Sequence, residues 1–185
     1  MLNVSRGFLA RKPERCRSGS GNLGGVGGPS TLKIVEVVRG TPRFDQVLVT
    51  AREVLAQDRY LLASFPHAET ATVLGAFRGR SCVGFLLYLV HEIGRDCDRP
   101  PILHDGRPLR EGYVEAFGVV PSERRQGIGE ALQLHAIDAC RRIGCYQIRS
   151  RSPVTSRENY ELKLKMGYVV HPSDENDSYY FLLRL

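Results

Sequence analysis

The sequence lacks any apolar stretch long enough to cross a bilayer: the longest, Val83 to Val90, is eight residues and includes Gly84, against the roughly 18 that a spanning helix requires. No membrane partner is therefore expected. Cys-x-x-Cys is missing, and the cysteines (Cys16, Cys82, Cys97, Cys140, Cys145) are odd in number. Neither a disulfide framework nor a zinc knuckle is indicated, and reduced, cytosolic thiols are the expectation. His67, His91, His104, His135 and His171 form no pair at metal-ligand spacing. No metal is expected, unless folding assembles a site that sequence separation hides.

What is present is an ordinary single domain's worth of chain. With 185 residues, 42% apolar and 25% charged, the composition excludes both a large multidomain protein and a wholly disordered one. The net charge of +6 is unevenly placed. Residues 1–30 hold five basic side chains and one acidic, a net of +4, and the remaining 155 hold 21 basic and 19 acidic, a net of +2. Residues 1–30 also contain seven of the 19 glycines, and such a segment buries too little apolar area to offset its ordering entropy. We read it as a disordered Gly/Arg-rich leader before a folded domain at 31–185. Its Arg and Ser content shares features with a transit peptide, but there is no clean amphipathic run and no secretory apolar core. It lacks the series of interleaved aromatics that a stacking platform needs, so no nucleic-acid partner is expected.

The periodicities of the folded part alternate between strand and helix. Leu32 to Val38 reads as a strand. Thr41-Pro42 has the form of an N-cap followed by proline in the first turn, and Phe44, Val47, Leu48, Ala51, Val54 and Leu55 recur at helical spacing. A short helix is expected at Asp58 to Ser64. Two strand-like runs, Ala71 to Arg78 and Cys82 to Ile93, are separated by Gly79-Arg80-Ser81, the signature of a hairpin. Gly94 to Pro108 reads as a long loop and Leu109 to Val119 as a strand. An amphipathic helix follows through Ile128, Leu132, Ala136 and Ile143, with Gly144 as its terminating residue. Tyr146 to Arg149, Tyr168 to His171 and Tyr179 to Leu183 are expected strands, and Ser156 to Met166 is a fourth helix. The order is α/β: a mixed, mostly antiparallel sheet of about seven strands flanked by about four helices.

The informative segment is Val119-Val120-Pro121-Ser122-Glu123-Arg124-Arg125-Gln126-Gly127-Ile128-Gly129, between a strand and a helix. A basic, Gly-containing turn at a helix N-terminus makes an anion cradle, because unpaired backbone N–H groups and the helix dipole converge there and glycine admits a phosphate to the main chain. A plain strand-to-helix turn with exposed arginines is the other reading. The turn has neither the six-residue dinucleotide fingerprint nor a Gly-Lys-Ser/Thr ending.

At Val119, Pro121, Arg124, Gly127 and Gly129, with Gln126 and Ile128 as typical fillers, the chain resembles the GNAT superfamily of N-acetyltransferases. Lys165-Met166-Gly167-Tyr168 resembles the family's Lys followed by a Gly-aromatic pair. The resemblance covers about 32–185 and implies an acyl-CoA N-acyltransferase fold in which two central parallel strands splay apart to admit acetyl-CoA. It implies that the backbone near Phe117 and Val119 pairs with the pantetheine arm, and that Arg124, Arg125, Gln126, Gly127, Ile128 and Gly129 hold the pyrophosphate. Asn159 is a candidate for the pantetheine amides, although the family asparagine falls at Ser156 by strict counting. Glu130 reads as a partner for the helix dipole. The family also admits a homodimer.

The resemblance further implies direct attack of an acceptor amine on the acetyl thioester, with the amine unprotonated. Period-2 alternation would set Tyr113, Glu115, Phe117 and Val119 on one face. Glu115 is the candidate base, or alternatively a salt-bridge partner for an arginine on the next strand, and Tyr113 is an alternative for positioning the acceptor. Where many relatives have a tyrosine, four residues before the Gly-aromatic pair, this chain has Lys163. Tyr160, three residues earlier, is the candidate general acid. Lys163 is either a stabiliser of the thiolate or, more simply, a solvated surface lysine. Asp96, Asp98 and Asp105 could attract a cationic amine of a small molecule or peptide. The expectation is an N-acetyltransferase using acetyl-CoA as cosubstrate, with a non-catalytic acyl-CoA-binding protein of the same fold as the alternative.

Overall fold

Local signals set the first helix. Thr41 Oγ1 accepts from the Phe44 N–H at 3.4 Å, Pro42 occupies the first turn, and helix α1 (Pro42–Leu55) ends where Ala56 turns left-handed at φ 52°. The computed structural model describes residues 31–174 and 176–185; the expected leader at 1–30 lies outside the described residues. The elements are β1 (Leu32–Val37), α1, α2 (Asp58–Leu62), β2 (Thr70–Arg78), β3 (Ser81–Glu92), β4 (Leu103–His104), β5 (Arg107–Pro108), β6 (Arg110–Val119), α3 (Ile128–Arg142), β7 (Gln147–Pro153), α4 (Arg157–Lys165), β8 (Val169–Pro172) and β9 (Ser178–Arg184). No helix among the described residues is long and apolar enough to cross a membrane.

Seven strands form one sheet in the order β1-β2-β3-β6-β7-β9-β8, with only β6 and β7 parallel. The loop from Gly94 to Pro108 contains a 3-10 turn at Arg95–Cys97 and the β4–β5 hairpin. Each face of the sheet buries its own core. Phe44, Val47 and Ala51 of α1 and Leu61 of α2 pack with Phe85, Leu87, Leu89 and Ala116 on one face. Ile128, Leu132, Ala136, Ile137 and Cys140 of α3 pack with Leu86, Val90, Val114, Ile148 and Phe181 on the other.

The register of β6 on β3 jumps: Tyr88 faces Val114 and Leu87 faces Ala116, leaving Glu115 as an extra residue. Such a bulge reverses the alternation beyond it. Tyr113 packs toward the α1 core, whereas Phe117 and Val119 pack toward the α3 core. The expected common face for residues 113, 115, 117 and 119 is therefore corrected. A one-residue insertion depends on what β3 presents opposite, which a period-2 reading of β6 alone does not contain. Parallel pairing of β6 with β7 runs only from Glu111–Gln147 to Val114–Ser150. Past that point the two strands separate, as the resemblance implied. Strand β7 is longer than Tyr146 to Arg149 because it continues through Ser150 to Pro153, of which Arg151 to Pro153 pair with β9 alone.

The bulge is preceded by close packing. A Cβ on Gly112 would collide with Cys140 Sγ of α3, so only glycine lets α3 lie this near β6. Gly112→Ala should lower the unfolding free energy by about 1–3 kcal/mol in urea denaturation. Adding Cys140→Ala should recover part of that loss; an identical loss in both backgrounds would show that Cys140 is not the obstruction.

Candidate functional site

The separation of β6 from β7 leaves backbone groups on the β6 edge that need partners. Two side chains supply them. Gln57 Oε1, just beyond α1, accepts from the Phe117 N–H at 3.0 Å, and Arg124 Nε donates to the Val119 carbonyl at 3.1 Å. The two positions expected to face a ligand are thus the open-edge positions of β6. Between the strands lies a cleft of about 790 Å³, lined by residues of both and by the starts of α3 and α4.

One end of the cleft is the turn before α3. Pro121–Glu123 form a 3-10 turn, Arg125 and Gly127 are left-handed at φ 62° and 79°, and Gly127 is the N-cap of α3 with no side-chain cap. The first-turn N–H groups are therefore left to solvent or a ligand. A Cβ on Gly127 would meet nothing within 4 Å, whereas one on Gly129 would press on Phe117 and Leu162 at 3.1 and 3.2 Å. Arg124 and Arg125 reach across to Glu158 and Glu161 of α4 at 3.3 and 3.4 Å, and Lys165 meets Glu130 at 3.0 Å. Glu130 is thus an ion-pair partner as well as a first-turn acid. Gln126 does not turn toward the cleft: its Oε1 accepts from Arg78 at 2.7 Å, and it is absent from the cleft lining.

Glu115, on the bulge, lines the cleft. Burial raises its carboxyl pKa above the ordinary value, with Arg151 opposing and Asp96 adding to the rise. Across the gap, α4 faces β7. Lys163, expected at the surface, is 1% exposed. Its Nζ donates to Ser150 Oγ and, at 2.8 Å, to Ser152 Oγ, and it lies 4.9 Å from the centre of the Phe181 ring. Burial lowers its pKa to about 7. Asn159 Nδ2 donates to Ser152 Oγ at 2.9 Å, and its Oδ1 is buried without a partner. Tyr160 is turned elsewhere: its hydroxyl donates to the Ser152 carbonyl at 3.1 Å, its ring packs on Phe181 and Tyr179, and it is not among the cleft-lining residues.

Sequence reasoning missed Gln57, Ser150 and Ser152, none of which stands in a motif. It also missed a buried charge network beside the cleft. Arg149 Nη2 meets Asp96 at 2.6 Å and Glu111 at 2.8 Å, while its guanidinium lies over the rings of Tyr113 and Tyr180 at 4.5 and 5.0 Å. Burial opposes the Arg149 charge, but the two carboxylates hold it protonated. Burial likewise pushes the Asp96 carboxyl up, and the Arg149 bond outweighs it, leaving the pKa lowered. Donor atoms of His91, Asp96 and Glu111 lie within 4.8 Å of one another, a grouping that sequence separation hid, and the cation among them is Arg149. Asp96 is accordingly committed to Arg149, whereas Asp98 and Asp105 are exposed in left-handed turn positions.

The geometry invites comparison with known proteins. No curated protein matches the chain by sequence. Solved structures match it in fold. Arabidopsis thaliana NAA60 in complex with acetyl-CoA superposes with a TM-score of 0.64 at 16% identity, covering 84% of this chain and 99% of that one. Arabidopsis thaliana Naa50 in complex with the bisubstrate analogue CoA-Ac-MVNAL gives 0.59 at 17% identity, covering 83% and 99%. The ribosomal-protein-S18-alanine N-acetyltransferase from Escherichia coli gives 0.57 at 13% identity, covering 84% and 93%. A model of the acetyltransferase (GNAT) family matches residues 42–168, which span α1 through the Gly167-Tyr168 pair. With the split strands, the turn before α3 and that match in agreement, the chain belongs to the acetyltransferase (GNAT) family.

Proposed function

We propose that the protein moves an acetyl group from acetyl-CoA to the amine of a small molecule or peptide. The observation that carries this reading is the cleft that joins the open edge of β6, the uncapped start of α3 and the Glu115 carboxyl in one continuous space. The residues fit the cosubstrate. An extended pantetheine arm needs edge N–H and C=O groups, and those of Phe117 and Val119 are held by displaceable side chains, Gln57 and Arg124. A pyrophosphate needs N–H groups and cations, which Gly127, Ile128 and Gly129 offer with Arg124 and Arg125. Asn159 Oδ1, buried without a partner, is an acceptor for an amide N–H. Gln126 supports this turn from behind through Arg78.

Bound acetyl-CoA supplies the thioester that the acceptor attacks. Glu115 takes the proton of the attacking amine, directly or through a water, and its raised pKa brings it closer to that task. An α-amine, with an ordinary pKa of about 7.7–8.0, suits a carboxylate base better than a lysine side chain at about 10.4. The alanine N-acetyltransferase named for the Escherichia coli structure and the CoA-Ac-MVNAL analogue bound to Naa50 favour trying peptide N-termini first.

Arg124→Ala and Gly127→Ala should each weaken coenzyme A binding about tenfold by calorimetry, or about 1.4 kcal/mol. Unchanged affinity in both would remove the phosphate-cradle assignment. Turnover is to be followed as thiol release with a panel of small amines and peptide N-termini. The rate should fall on acidification along a limb lying above the ordinary carboxylate pKa of about 4.3. Glu115→Gln should lose that limb together with roughly 10²- to 10⁴-fold in rate. Binding of acetyl-CoA with no thiol release from any acceptor would favour the non-catalytic acyl-CoA-binding reading.

A further inference from the structure

A lysine amine inside a protein is costly unless a carboxylate answers it. Lys163 is 1% exposed, and among the described residues its polar partners are two hydroxyls, Ser150 Oγ and Ser152 Oγ, with the Phe181 ring beside them. No carboxylate lies within ion-pair reach of it among the described residues. A lysine serving only to tie α4 to β7 would be replaced at lower cost by a neutral hydrogen-bonding side chain. Lys163 nevertheless lines the cleft from the β7 side, while Glu115 lines it from the β6 side. Tyr160, the expected acid, instead bonds the Ser152 carbonyl and packs on Phe181, outside the cleft lining.

We propose that Lys163 is the proton donor to the coenzyme A thiolate as it departs. This rests on the acetyl-CoA reading above. The acceptor nitrogen bonds to the acetyl carbon and gives its proton by way of Glu115 to water. As the C–S bond breaks, its electron pair goes to sulfur, and the Lys163 ammonium gives sulfur a proton, leaving free thiol and a neutral amine that water re-protonates. Burial makes the direction of transfer favourable. An ordinary lysine at about 10.4 is a weaker acid than a thiol at about 8.5, whereas Lys163, lowered to about 7, is the stronger of the two. Ser150 and Ser152 act as positioning residues that aim the amine across β7.

The test uses the full chain with acetyl-coenzyme A and an accepted amine, and with desulfo-coenzyme A, which lacks only the thiol. Thiol release is followed against pH, and desulfo-coenzyme A affinity is measured, in wild type, Lys163→Met and Lys163→Gln. Wild-type turnover should fall as pH rises through about 7, where Lys163 loses the proton it donates, and both variants should lose that limb together with at least tenfold in rate. Both variants should keep desulfo-coenzyme A affinity within about threefold, which also shows that they fold. An alkaline limb unchanged in a variant that still binds would overturn the proposal. Loss of desulfo-coenzyme A binding in both variants would also overturn it, by making Lys163 a structural anchor. Failure of the wild type to bind desulfo-coenzyme A would instead strike the acetyl-CoA reading itself.

Discussion

The single residue by which β6 exceeds β3 at Glu115 fixes what the rest of the site can be. A continuous parallel pair would satisfy the inner edges of β6 and β7 along their whole length and leave no cleft. Because pairing stops at Val114 and Ser150, the groups beyond must find other partners, and a buried edge without partners would cost more than the fold can spare. Gln57 and Arg124 take that role on β6; on β7 the Tyr160 hydroxyl meets the Ser152 carbonyl, and Lys163 and Asn159 bond the serine hydroxyls beside it. The same bulge brings Glu115 into the opening it creates. Sheet continuity, the cleft and the candidate base are consequences of one insertion.

Just below the opening the two strands are still paired, and there the structure concentrates charge. Arg149 on β7, one pair before the last, and Glu111 on β6, at the first parallel pair, are joined by Asp96 from the 3-10 turn. Removing these groups from water carries a large desolvation penalty, so their value depends on mutual satisfaction. Arg149 answers two carboxylates, Gln147 donates to Glu111 at 2.8 Å, and Tyr113 and Tyr180 cover the guanidinium faces. The network fastens the long loop to the strands at the point where they part, and so limits how far the separation can travel down the sheet.

How much of this could be read from the sequence varies with the range of the interaction. The Thr41-Pro42 start of α1, the Gly127 start of α3 and the Gly144 turn after it, left-handed at φ 75°, rest on contacts within a few residues, and all were legible. The family motif located the cleft for the same reason, since Val119 to Gly129 is a strand, a turn and a helix start in one local run. The bulge was not legible because it is a relation between two strands. Neither was the burial of Lys163: α4 is polar along most of its length, and nothing in Arg157–Lys165 distinguishes the one lysine that enters the core from Lys165, which meets solvent. Asp96 looked like its loop neighbours Asp98 and Asp105 until Arg149 was placed beside it.

The charges that first suggested an anion site are already spoken for, and weakly. Arg124 and Arg125 pair with Glu158 and Glu161 through exposed contacts at 3.3 and 3.4 Å, of the kind that contributes about 0–1 kcal/mol each. Exchanging such carboxylates for phosphate oxygens at an uncapped helix start loses little and gains the dipole and the N–H groups as well. Arg149 is the contrast, since its two carboxylates are buried with it and cannot be exchanged without stranding a charge. A near-neutral domain can therefore bind a strongly anionic ligand at one end of the cleft, because its binding cations are the ones whose present partners are cheap to give up.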